Sequence, residues 1–129
     1  MFQIDIMSRT PIYEQIIEQT EKFILTGAIL PGDQIPSVRS VSGELSVNPV
    51  TILKAYTDLS SRGLIQSVPG RGYFVCSDAK VRLSEGKAEL LGEMYSIASE
   101  LALAGIPMET VIKKIEEAYA QNGRKEDDK

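Results

Sequence analysis

The sequence has no histidine and one cysteine, Cys76. Without histidine, Ser-His-Asp and Cys-His catalysis cannot be assembled, and with a single thiol the usual zinc ligand sets are missing too, so no metal and no cofactor are expected. Cys76 has no partner for an intramolecular disulfide. It reads as a small packing residue, with a reactive thiol as the alternative. No apolar stretch approaches the roughly 20 residues a membrane span needs. The opening "MFQIDIMSRT" lacks both the basic start and the sustained apolar segment of a signal peptide. The expectation is a cytoplasmic protein without a membrane partner.

What is present is an ordinary globular balance, 43% hydrophobic and 25% charged over 129 residues. That is enough chain for one compact domain and an appendage. The formal net charge of -4 at first argues against a nucleic-acid partner. The charge is segregated, however. Between Ser37 and Val75 four cations (Arg39, Lys54, Arg62, Arg71) face two acids (Glu44, Asp58), whereas from Cys76 onward eight cations face eleven acids. A mildly basic middle and an acidic end suggest two tasks.

Along the chain, "TPIYEQIIEQTEKFILTG" places Thr10 as a cap and Pro11 at the first helical position. Tyr13, Ile16, Ile17, Thr20, Phe23 and Ile24 then recur at helical spacing, and Gly27 supplies a stop. "LPGDQIPS" holds a turn and a short extended piece before Ser37, which can cap a second helix through Leu45. Asn48-Pro49 repeats the cap-and-proline arrangement and starts a third helix running to about Arg62 and ending at Gly63. Two short helices with a freshly capped second one match the helix-turn-helix pattern. "LIQSV", "PGRG" and "YFV" read as a β-hairpin, which completes a winged helix-turn-helix.

Advancing about 100° per residue from Ile52 puts Ala55, Tyr56 and Leu59 on the core face of the third helix. Val50, Lys54, Thr57 and Ser61 point outward, with Thr51 and Leu53 on the flanks. Such an outward face suits a major groove: Lys54 for phosphate or guanine, Thr51 for phosphate or base, Val50 and Leu53 for thymine methyls. Gly70, Arg71 and Gly72 put a cation at a turn that can approach a sugar-phosphate closely. After a polar stretch, Leu90, Met94, Ile97 and Leu101 follow coiled-coil spacing, and Met108, Val111, Ile112, Ile115 and Tyr119 form a second stripe. Two such helices cannot make their own core, and a second copy of the chain is the economical cover.

"PIYEQI", "GDQIPSVRSVSGELSVNPVTILKAYTDL" and "GLIQSVPGRGYFV", in this order, resemble the DNA-binding domain of the GntR family of bacterial transcriptional regulators; the short remainder resembles its YtrA-type branch. The resemblance implies a sequence-specific regulator, a repressor acting as a homodimer on a palindromic double-stranded DNA operator, and not an enzyme. It assigns DNA contacts to Ser37, Arg39, Asn48, Thr51, Lys54, Gly70, Arg71 and Gly72, to which the outward-facing Val50 is added. The chain departs from the family at Pro49 and Leu53, where many members carry arginine. It departs also at Val50, where YtrA-type sequences often carry asparagine.

The expected fold is mainly α with a small β-hairpin wing (α+β): a winged helix-turn-helix over residues 1–76, a linker over 77–84, a two-helix dimerisation or effector region over 85–122 and a charged tail over 123–129. The expected dimer interface comprises Leu90, Met94, Ile97, Leu101, Ile112, Ile115 and Tyr119. A small-molecule effector near Tyr95 or Tyr119 is left open. The rival reading is a winged helix that docks another protein through Val50 and Leu53. An enzyme built on Glu14 and Glu18 is a distant third, because their i, i+4 spacing describes a solvated helix face.

Overall fold

A computed structural model describes residues 1–122. The expected charged tail, 123–129, lies outside the described residues. The described residues form two compact units, Met1–Lys87 and a second that begins at Ala88.

In the first unit, helix α1 (Ile12–Thr26) buries Ile16, Thr20, Glu21 and Ile24 and ends on Gly27 in the left-handed region. The cap expected from Thr10 is not formed: Pro11 occupies the N-cap position without a side-chain cap bond. The exposed end is organised by glutamine amides instead. Gln15 Nε2 donates to the Thr10 and Asp5 carbonyls at 2.8 and 2.9 Å, and Gln19 exchanges hydrogen bonds with the backbone of Gln3. The arm before α1 is thereby held along the helix, with Phe2 in the core.

Strand β1 (Gln34–Ile35) precedes α2 (Val38–Leu45), which Ser37 caps by accepting from Ser40 N at 3.0 Å. Asn48 Oδ1 accepts from Val50 N at 2.8 Å and starts α3 (Pro49–Ser61), with Pro49 in the first turn where a missing N–H costs nothing. The four residues expected on the inner face of α3, Ile52, Ala55, Tyr56 and Leu59, are all fully buried. Strands β2 (Ile65–Val68) and β3 (Gly72–Val75) form the hairpin, and the extended piece before Ser37 joins it as β1, giving the antiparallel order β1-β3-β2. The fold is a winged helix.

The stretch expected to be a linker, 77–84, is instead mostly helical: α4 (Ala79–Lys87) packs on α1 and places Ala79 and Leu83 in the core. The winged-helix unit therefore extends to Lys87 and not to residue 76. The reason is that only two residues of α4, one turn apart, face inward, while Val81 between them is 59% exposed. Ala79, Val81 and Leu83 thus read as a polar-apolar alternation and hide a helix. An Asp78–Arg82 ion pair at 2.7 Å and a Lys87–Glu21 pair at 3.1 Å support it.

The second unit contains α5 (Leu90–Leu103) and α6 (Met108–Asn122), neither of which buries a residue fully. Of the expected interface residues, Leu90, Met94, Ile97, Ile112, Ile115 and Tyr119 are exposed and Leu101 is half-buried. No helix among the described residues is long and apolar enough to cross a membrane.

Candidate nucleic-acid interface

The outward side of α3 is open. Val50 is 69% and Leu53 46% exposed, Lys54 and Thr57 are exposed, and Thr51 is half-buried. Pro49 and Asn48 are exposed at its start, so the first turn presents its backbone and short side chains to solvent. Ser37 and Arg39 are exposed at the beginning of α2, and Gly70 and Arg71 at the hairpin turn.

These three elements are tied together by one side chain that faces the interior. Tyr56 of α3 donates its hydroxyl to the Pro36 carbonyl at 2.6 Å, immediately before the Ser37 cap. Its ring also meets Tyr73 of β3 edge-on, with centroids 4.9 Å apart, immediately after Gly72. A single buried tyrosine on α3 thus contacts the entry to α2 and the exit of the wing turn. Burial, with the nearby Tyr73 phenol, pushes the Tyr56 hydroxyl well above its usual pKa, so it remains a donor.

Of the four cations in the basic stretch, Arg62 is already committed. Its guanidinium bonds Glu21 at 2.6 Å and Asp58 at 3.3 Å. Burial would lower its pKa, but the hydrogen bonds to the two carboxylates outweigh that and raise it. Arg39, Lys54 and Arg71 form no ion pair among the described residues. Lys54 Nζ instead sits 4.0 Å above the centre of the Tyr13 ring. A cation over an aromatic face keeps its charge and gains about 0.5–1 kcal/mol at an exposed site. Three uncompensated cations on α2, α3 and the wing suit a polyanionic partner.

The other basic concavity offers no comparable free charge. A cleft of about 350 Å³ is lined by Arg62, Leu64, Arg82, Leu83, Gly86 and Lys87. Each of its three cations is paired, with Glu21, Asp58 or Asp78. Cys76 is half-buried, and burial with the nearby Asp78 pushes its thiol up, against an opposing effect of Arg82. An upward shift is the opposite of the lowered pKa that activates a nucleophilic cysteine.

Comparison with known proteins agrees with this geometry. Residues 12–75 match the model of the bacterial regulatory proteins of the gntR family. The HTH-type transcriptional repressor YtrA of Bacillus subtilis is 39% identical over 98% of this chain and 100% of its own length. The chain belongs to the GntR family. Its likeness to that repressor makes it a GntR member of YtrA type. Among solved structures, a GntR family regulator from Listeria monocytogenes is 33% identical, covers 88% of this chain and 98% of its own, and superposes with a TM-score of 0.71. The DNA-binding domain of AraR in complex with operator ORX1 is 38% identical over 59% of this chain and 93% of its own, with a TM-score of 0.51.

The GntR match ends at Val75, the last residue of β3, so α4 lies beyond it although it shares the same core. Three residues support this interface without a binding signal in their local spacing. Tyr13, one of the helically spaced residues of α1, is half-buried beneath Lys54. Tyr56 was placed in the core without its role as a connector. Gln34 falls in the short extended piece before Ser37, where alternation with Ile35, which is 2% exposed, puts it on the outer face of a strand.

Proposed function

We propose that this GntR protein is a transcriptional repressor that binds a palindromic operator as a homodimer. The α3 helix of each subunit enters a major groove and the β2–β3 wing lies against the flanking minor groove. Asn48, Val50, Thr51 and Lys54 contact the DNA from α3, Ser37 and Arg39 from α2, and Gly70, Arg71 and Gly72 from the wing. The observation that carries this reading is the set of uncompensated cations on α2, α3 and the wing, in a chain 39% identical along nearly its whole length to a named repressor. The operator complex of the AraR DNA-binding domain, to which the chain is similar, supports the same use of the surface. DNA as the partner places the protein in the cytoplasm.

Leu90, Met94, Ile97, Leu101, Ile112, Ile115 and Tyr119 form the dimer interface in this reading. Stripes left uncovered on both α5 and α6 are what a second copy would bury. Tyr95 and Tyr119 are 75% and 67% exposed, and a small-molecule effector that seats beside them acts by changing how the two copies pair. Ile97→Glu is the direct test. Sedimentation equilibrium should show a monomer where the parent chain is a dimer, and affinity for a two-half-site duplex should fall by at least tenfold. A variant that stays dimeric and binds normally would remove these residues from the interface.

The rival reading, a docked protein on Val50 and Leu53, draws on the exposure of that pair. It predicts little salt dependence and no preference among duplexes.

A further inference from the structure

Gln34 lies on β1, outside both the recognition helix and the wing turn. Its environment is specific. Gln34 is in register with Phe74 of β3, and Phe74 and Gly72 share one face of that strand. The Gln34 side chain reaches along this face to the wing turn, where Nε2 donates to the Arg71 carbonyl at 2.8 Å. A Cβ on Gly72 would lie 2.8 Å from the same Nε2, and Gly72 has φ +117°, which disfavours any other residue. Glycine at position 72 is favoured by its backbone conformation, and a Cβ there would push the glutamine amide off its present position.

The effect is on Arg71. Its N–H donates to the Val68 carbonyl at 2.9 Å, and its own carbonyl accepts from Gln34. Both backbone polar groups of Arg71 are thus anchored, while its guanidinium has no ion-pair partner among the described residues. The tip is a fixed backbone carrying a free cation. We propose that Gln34 is a positioning residue for DNA binding, which presets the direction of Arg71 into the minor groove by clamping the wing turn. The inference rests on the operator-binding reading above. Preorganisation of this kind raises affinity because the ordering cost is met before the partner arrives.

The test uses the full chain with four substitutions: Gln34→Ala, Gln34→Glu, Arg71→Ala and the double Gln34→Ala/Arg71→Ala. Binding to the DNA upstream of the protein's own coding region is measured by fluorescence anisotropy across a salt series, with a scrambled duplex as reference. Gln34→Ala should weaken binding about five- to tenfold, the worth of one hydrogen bond. Gln34→Glu should do at least as much, because an acceptor then faces the Arg71 carbonyl. In the Arg71→Ala background Gln34→Ala should add nothing, a coupling that a merely structural role would not produce. In the free protein, amide hydrogen exchange at Arg71 and Gly72 should accelerate in Gln34→Ala.

Parent-like affinity of Gln34→Ala, or an equal loss in both backgrounds, overturns the inference while leaving the regulator reading intact. A parent chain that binds both duplexes alike overturns the regulator reading and, with it, the part assigned to Gln34 in binding. Unchanged hydrogen exchange in Gln34→Ala would contradict the clamp itself, independently of any DNA.

Discussion

Replacing Lys54 and Arg71 together by alanine should lower operator affinity about a hundredfold or more. A specific DNA contact is worth about 1–3 kcal/mol, and each 1.4 kcal/mol is a factor of ten. The two residues sit on different elements, α3 and the wing turn, with no shared partner, so their losses should add. The slope of log affinity against log salt should fall by about 1 for each residue that meets a phosphate. Stability should change little. Arg71 is exposed, and Lys54 loses about 0.5–1 kcal/mol at most from its position over Tyr13. Anisotropy titrations of the two single variants and the double, beside thermal melts, check both halves. Unaltered affinity in the double variant would remove both residues from the binding surface.

Leu83→Ala should destabilise the winged-helix unit by about 2–5 kcal/mol, because it empties a buried position where α4 packs on α1. For a unit of this size each kcal/mol shifts the melting temperature by about 4–8 °C, so a fall of about 10 °C or more is expected. Val81→Ala, on the same helix but 59% exposed, should change stability by no more than about 0.5 kcal/mol. The contrast separates a packed helix from a polar linker, for which the two substitutions would be equivalent. Thermal denaturation of the full chain followed by circular dichroism provides the comparison.

Much of the architecture was legible because it is written in local signals. The Asn48 cap with Pro49 marks the start of α3, and the spacing of Ile52, Ala55, Tyr56 and Leu59 gives its buried face. The Ser37 cap does the same for α2. Where packing depends on residues distant in sequence, the signal disappears. The short extended piece before Ser37 is visible in the sequence, but its pairing with β3 as the two-residue strand β1 is not. The Gln34 to Arg71 hydrogen bond spans 37 positions. Glu21 lies beside the apolar stripe of α1 and looks like surface, yet it is buried because Arg62 and Lys87, from α3's end and α4, converge on it.

The candidate binding surface divides in the same way. Outward-facing residues of α3 follow from helical geometry, so Val50, Leu53 and Lys54 could be placed in advance. What holds them cannot be read from spacing. Tyr13 beneath Lys54 and Tyr56 between Pro36 and Tyr73 are contacts between elements. Charge tells a similar story: a count of cations groups Arg62 with Arg39, Lys54 and Arg71. Only the structure separates the one neutralised by Glu21 and Asp58 from the three that form no ion pair among the described residues.

On the proposed reading, a chain with an acidic sum uses a small basic face to read DNA. The most direct test of that reading is the binding of the purified protein to its own upstream DNA and to a scrambled duplex of equal composition, titrated from low to physiological salt. The expected result is tight binding that prefers the upstream duplex, weakens steeply with salt and saturates at two subunits per duplex. Absence of binding to either duplex even at low salt would contradict it and shift the role of the α3 surface to docking a protein.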